Sequence, residues 1–160
     1  MDGYRRSVIH VPVPGSEVIE LDYLVLDVNG TLADGGVLID GVAERIALLS
    51  TSLEVTIASA DTLGTLAGLA ERLGVDSLRI GHGAEKAALV DRLGAARCVA
   101  IGNGVNDVPM LERAMLAIAV IGPEGTSARA LVAADVVCRS TIEALDLLLD
   151  PRRLVATLRQ

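Results

Sequence analysis

Short aliphatic runs recur along the chain, separated by stretches whose apolar residues return every three or four positions. The runs at 54–59 and 77–80 interleave aliphatic residues with Glu, Thr, Ser and Arg, whereas those at 98–101, 116–121 and 136–138 are continuous in Val, Ile, Leu, Ala and Cys. That continuity, without strict alternation, is the pattern of strands covered on both faces. Between them, 42–49 has helical spacing with Asp40 as a cap. Residues 62–73 predict a helix capped by Asp61 and closed by Gly74, and 85–93 a helix closed by Gly94. Helices are also expected at 108–114, with Pro109 just inside the start, and at 126–133. Ser140-x-x-Glu143 has the form of a capping box before 144–149, and Pro151 opens a last helix. Near the N-terminus, 7–13 alternates weakly until Pro14-Gly15 breaks it, so 1–17 is expected to form an edge hairpin leading into a strand at 18–28. Strands alternating with helices across short loops predict a three-layer α/β/α sandwich. Its sheet should be mostly parallel and Rossmann-like, in a single domain spanning 1–160.

Composition narrows the classes. A chain of 160 residues buries roughly two-thirds of its unfolded surface. Hydrophobic residues make up 51% of it, yet Phe and Trp are absent and Tyr4 and Tyr23 are the only aromatics. The core is therefore aliphatic. Without aromatic stacking platforms and with a net charge of −7, the chain is not expected to bind nucleic acid. No apolar run approaches the roughly 20 residues that span a bilayer, and no basic, then apolar, leader opens the sequence. No membrane partner is expected. Cys98 and Cys138 each sit alone in an aliphatic run and read as small buried hydrophobes in a reducing compartment. Together these features predict a cytoplasmic protein.

Two segments carry the candidate chemistry. Asp27-Val28-Asn29-Gly30-Thr31 and Gly102-Asn103-Gly104-Val105-Asn106-Asp107 each follow an aliphatic run. Both should emerge at the carboxyl edge of one sheet, where open α/β sheets bind ligands. A carboxylate followed by Gly-Thr, facing a Gly-x-Gly-x-x-Asp turn, suits a phosphoryl group held over a divalent cation. Lys86 is the only lysine beside thirteen arginines, which suggests a local task for that ammonium. His82, between Gly81 and Gly83, reads as a loop residue, and His10 as structural.

Asp27-x-Asn29-Gly30-Thr31 resembles the first motif of the haloacid dehalogenase superfamily, Asp-x-Asp-Gly-Thr. Ser59-Ala60-Asp61 is similar to the second motif, Lys86 at a helix start to the third, and 102–109 to the fourth in its P-type ATPase form. The resemblance covers 20–150 and is nearest to the small soluble P-type ATPase proteins. It implies Asp27 as a nucleophile forming an aspartyl-phosphate, paired with Lys86. It further implies phosphate binding by Gly30, Thr31, Ser59, Ala60, Lys86 and Asn106. Magnesium would be held by Asp27, the Asn29 carbonyl, Asn103 and Asp107, with Asp107 also ordering the metal shell.

Two positions depart from the family pattern. Asn29 stands where many members have an Asp that shuttles protons, and such general acid–base help is typically worth 10²–10⁴-fold. An amide cannot exchange that proton near neutral pH, so slow turnover follows, or a leaving group such as an acyl phosphate that needs no protonation. Asn103 replaces a metal-binding Asp, which removes one negative charge and weakens magnesium binding. Asp34 is a candidate to compensate. The intervals 32–54 and 59–86 leave no room for a cap domain. The exposed crevice should then take a phosphorylated small molecule or a phosphoprotein, or be covered in a homo-oligomer, a dimer or tetramer. The segment 34–39, with Gly35-Gly36, predicts a β-flap packed against that partner. Three functions fit: a magnesium-dependent phosphohydrolase, a sugar-phosphate phosphatase like the capless enzymes acting on 3-deoxy-octulosonate 8-phosphate, or a non-enzymatic phosphate- or protein-binding module.

Overall fold

Ile9–Val11 (β1) pairs antiparallel with Ile19–Leu21 (β2) in a separate two-stranded sheet, so the hairpin expected within 1–17 instead takes its second strand from the 18–28 run. The computed structural model describes residues 6–160, so the part of the 1–17 expectation on residues 1–5 lies outside the described residues. The expected strand at 18–28 is two strands. Asp22 separates β2 from Tyr23–Asp27 (β3) because its backbone changes partners there. Its N–H donates to Arg97 O at 2.9 Å and its carbonyl accepts from Glu54 N at 2.8 Å.

After β3 come a two-strand flap, Ala33–Asp34 (β4) and Val37–Leu38 (β5), then Val42–Leu49 (α1). Glu54–Ser59 (β6), Leu66–Leu73 (α2), Asp76–Arg79 (β7) and Gly83–Leu93 (α3) follow. Next are Cys98–Gly102 (β8), Val108–Arg113 (α4), Leu116–Val120 (β9) and Ala128–Ala133 (α5). Val136–Cys138 (β10), Thr141–Leu149 (α6) and Pro151–Leu158 (α7) complete the chain. The central sheet has six parallel strands in the order β10-β9-β8-β3-β6-β7.

The layers follow from alternation along the strands. Leu24, Leu26, Ile57 and Ile101 point to one side, against Ile46 of α1, Leu69 of α2 and Leu145 of α6. Val25, Ala58, Ala100 and Ala117 point to the other, against Leu89 of α3, Met110 of α4 and Ala130 of α5. The alanines on the second face let α3 and α4 lie close to the sheet, which brings the start of α3 near the end of β8.

Three predicted boundaries are corrected. Helix α1 is preceded by Gly41 at φ 85°, with no side-chain cap, so Asp40 does not serve. Helix α2 begins at Leu66, not at 62. Asp61 takes φ 55° and Gly64 φ 67°, left-handed conformations that hold 61–64 as a turn before the helix starts. Asp61 reaches forward instead, its Oδ1 accepting from Leu66 N at 2.9 Å. The capping box at Ser140 is half formed. Ser140 Oγ accepts from Glu143 N, but the Glu143 carboxylate turns to the Arg139 backbone and guanidinium.

The crossovers from β3 run through α1 to β6 on one side of the sheet, while β8 lies on the other. The strand order therefore reverses between β3 and β8. In such sheets the crevice opens at that reversal, beyond the strand carboxyl ends. Asp27 ends β3 and Gly102 ends β8.

Candidate functional site

Asp27 is the last residue of the central strand and is 5% exposed. Its Oδ1 accepts from Lys86 Nζ at 2.6 Å. The same ammonium donates to Asp107 Oδ1, also at 2.6 Å. Lys86 and Asp107 are both fully buried. The lone lysine is thus an interior bridge between the two sequence segments, contributed by the first turn of α3. Gly83 permits that placement, since a Cβ there would stand 2.4 Å from the Asn106 carbonyl oxygen.

The other Asp107 oxygen, Oδ2, accepts from Asn103 N at 2.9 Å and Gly104 N at 2.8 Å, shaping the turn after β8. Both Asp107 oxygens are therefore engaged within the protein. Thr31, also buried, places its Oγ1 3.2 Å from Asp27 Oδ2 and 3.2 Å from Asn103 Oδ1. Its carbonyl accepts from Thr141 Oγ1 at 2.5 Å, which fixes the turn from beneath. Ser59, ending β6, is 3% exposed and accepts from Asp61 N at 3.0 Å, so its own proton is available to the crevice.

These groups line a cavity of about 220 Å³. Its wall includes Asp27, Asn29, Ser59, Ala60, Asn103 and Asn106. Of the sequence-predicted site residues, Thr31, Lys86 and Asp107 sit behind that wall, holding its carboxylate and its turn, while Gly30 takes φ 75° beside it. Asp34 lies on the flap and is not part of the wall. His82 is exposed beside Glu85, and His10 is exposed on β1 beside Glu20.

Two buried carboxylates share one ammonium, so the cluster carries one uncompensated negative charge when both are ionised. Burial, then the charge of Asp107, pushes the Asp27 carboxyl up to about 6, although Lys86 pulls it the other way. Burial opposes the Lys86 ammonium, but Asp27 and Asp107 hold its pKa above the ordinary lysine value. A divalent cation would relieve the excess. Asp27, Asn29 and Asn103 all line the cavity, and a carboxylate, an amide oxygen and a backbone carbonyl from them are the hard oxygens magnesium accepts, with only one or two carboxylates needed. No group of three or more His, Cys, Asp or Glu converges on one point among the described residues, so amide, carbonyl and water oxygens would complete the shell.

Sequence reasoning missed two wall residues, Thr62 and Glu124. Glu124 had a readable signal. It lies between Gly122 and Gly125 just after β9, and every loop following a strand of a parallel sheet opens at the same edge. Cys98 and Cys138 are free and buried, and desolvation raises their thiols to about 12 and about 11, so both stay protonated. No helix among the described residues is long and apolar enough to cross a membrane.

No protein-family model matches the chain. It is 33% identical over 139 residues to a soluble P-type ATPase-like phosphatase of Methanocaldococcus jannaschii, covering 83% of this chain and 50% of that protein. It is 46% identical over 63 residues to an uncharacterized protein of the same organism, covering 39% of this chain and 68% of the other. Among solved structures, the cobalt-bound deoxy-D-mannose-octulosonate 8-phosphate phosphatase of Haemophilus influenzae superposes with a TM-score of 0.67. The two are 17% identical over 88% of this chain and 94% of that one. The enzyme of that activity from Moraxella catarrhalis, solved with magnesium, phosphate and its sugar, gives 0.65 at 20% identity over 87% and 94%. A Streptomyces avermitilis protein described as an HAD family hydrolase gives 0.65 at 23% identity over 80% and 88%.

Proposed function

We propose that the chain is a member of the haloacid dehalogenase superfamily and, within it, a magnesium-dependent phosphohydrolase that works through an aspartyl-phosphate on Asp27. The observation that carries this reading is the buried Asp27–Lys86–Asp107 bridge at the point where the strand order reverses. It fixes one carboxylate oxygen of Asp27 and leaves the other beside Thr31 and Asn103. In the first step an Asp27 oxygen bonds to phosphorus as the bond from phosphorus to the leaving group breaks. In the second, water attacks phosphorus and the bond to Asp27 breaks, releasing inorganic phosphate and the free carboxylate.

Lys86 keeps Asp27 oriented and offsets phosphate charge. Ser59 and the Asn106 amide supply donors to the phosphate oxygens, with the backbone N–H of Ala60. The sequence reading of Gly30 as a phosphate donor is corrected, because its N–H already donates to the Ala33 carbonyl at 2.9 Å and only shapes the turn. Magnesium, held by Asp27, the Asn29 carbonyl and Asn103 with Asp107 ordering the turn, would supply electrostatic stabilisation of the transferring group. Asn29 cannot shuttle a proton, so turnover is slow and favours leaving groups that depart unprotonated. The substrate is a phosphorylated small molecule or phosphoprotein. A homo-oligomer is proposed to cover the uncapped crevice through the flap, whose Val37 is 70% exposed.

A second reading, a capless sugar-phosphate phosphatase, is favoured by the flap and by the likeness to the two octulosonate phosphatases. Hydrolysis of acetyl phosphate and p-nitrophenyl phosphate with magnesium separates the readings. Turnover of acetyl phosphate alone supports the slow phosphohydrolase. Turnover of both, with preference for a sugar phosphate, supports the second reading. Turnover of neither points to a binding module.

A further inference from the structure

The loop at 121–127, between β9 and α5, leans across Gly30 at the edge of the crevice. A Cβ on Gly122 would stand 1.9 Å from the Gly30 carbonyl oxygen, an approach only glycine allows. Gly125 N closes the loop on Gly122 O at 3.0 Å, and Thr126 Oγ1 donates to Val120 O at 2.7 Å. Asn103 binds it twice, with Nδ2 donating to Gly125 O at 3.0 Å and its carbonyl accepting from Ser127 N at 2.8 Å. A surface loop is thus bonded to Asn103 and packed closely against Gly30.

Its tip presents Glu124, an exposed side chain that shares the cavity wall with Asp27 and Asn103. Glu124 Oε2 and Asn103 Nδ2 lie 2.9 and 2.7 Å from one point, where a Cβ on Gly30 would stand. Gly30, at φ 75°, leaves the space that this pair occupies. Glu124 forms no ion pair among the described residues. A carboxylate without a cationic partner at the mouth of a phosphate crevice repels the substrate. The repulsion becomes attraction once a divalent cation stands between them.

We propose that Glu124 supplies the negative charge that Asn103 withholds from the cation site, so that the carboxylate has moved from the end of β8 to the loop after β9. The inference rests on the magnesium-dependent reading above. It also accounts for the amide at 103. An Asp there could not donate to Gly125 O, so the loop would lose the bond that positions Glu124. It would also bring a second carboxylate beside Glu124 Oε2.

Calorimetric titration of the full chain with magnesium chloride, without substrate, tests the idea. Glu124→Gln should weaken magnesium about tenfold, the scale of one screened unit charge near a divalent ion. Adding Asn103→Asp to that variant should return the affinity toward wild type, because the charge is moved back to β8. Unchanged affinity in Glu124→Gln, or a loss that Asn103→Asp leaves uncorrected, overturns the exchange. If Asp27→Asn abolishes stabilisation by beryllium fluoride with magnesium while Glu124→Gln binds magnesium normally, the hydrolase reading stands and this role falls. If the wild type binds no magnesium, both fall.

Discussion

Lys86 changes its meaning between sequence and structure. As a lone lysine at a helix start it reads as a charge-neutralising group that could be removed without harm to the fold. In the structure it is fully buried between Asp27 and Asp107. Removing one partner of a buried ion pair leaves an uncompensated charge and typically costs 3–5 kcal/mol. Lys86→Met should therefore lower stability by about that amount in urea melts, with part of the loss recovered by magnesium. A variant as stable as the wild type would show that the bridge does not form. Asp27 makes a second prediction, in pH. Its carboxyl titrates near 3.8 when unfolded and is raised to about 6 when folded. The folded state thus holds more protons between those values, so this group's favourable contribution is full below about 4 and is lost as pH rises through about 6. Asp27→Asn lacks that loss. The stability of the variant relative to wild type should climb from pH 4 to 6.5, measured by denaturant titration at each pH, and magnesium should shrink the difference.

At the level of elements, the six strands and most helices were legible because most strand runs stop within two residues at a Gly or Asp where the chain turns. The turn at 61–65 was not. Its left-handed Asp61 is held by Ser59 Oγ and Leu66 N, contacts between residues that no period in the sequence links. Glu124 was missed for a related reason. Its nearness to Asp27 depends on loop 121–127 crossing Gly30, and that contact joins strands β9 and β3, which are not neighbours in the sheet. The close approach of α3 to the turn after β8 is equally invisible in the sequence, and it yields a prediction. Gly83→Ala would set a methyl 2.4 Å from the Asn106 carbonyl oxygen, so α3 or that turn must move. The variant should fold with reduced stability and bind beryllium fluoride with magnesium at least tenfold more weakly, since a shift near 1 Å can cost 10²-fold in function. Wild-type affinity would mean that Lys86 tolerates displacement.

For the molecule as a whole, Asp27, Ser59, Asn103 and Asn106 line one cavity, with Lys86 and Asp107 behind it, at the carboxyl edge of the sheet. Function then turns on how little the crevice supplies. In the proposed mechanism Asn29 leaves proton transfer unaided, so Asn29→Asp should accelerate p-nitrophenyl phosphate or sugar-phosphate hydrolysis tenfold or more, and acetyl phosphate hydrolysis less. Steady-state rates on both substrates check this, and equal effects would indicate that departure of the leaving group is not what limits the enzyme. On the proposed mechanism the second step is slow, which would make the intermediate observable. Mixing the protein with acetyl phosphate and magnesium, quenching in acid and mapping the peptides by mass spectrometry asks directly whether Asp27 carries a phosphoryl group. The wild type should show one phosphoryl group on the peptide containing Asp27, and Asp27→Asn should show none. Phosphorylation that persists in the variant, or acetyl phosphate consumed by the wild type with Asp27 never modified, would contradict the aspartyl-phosphate account.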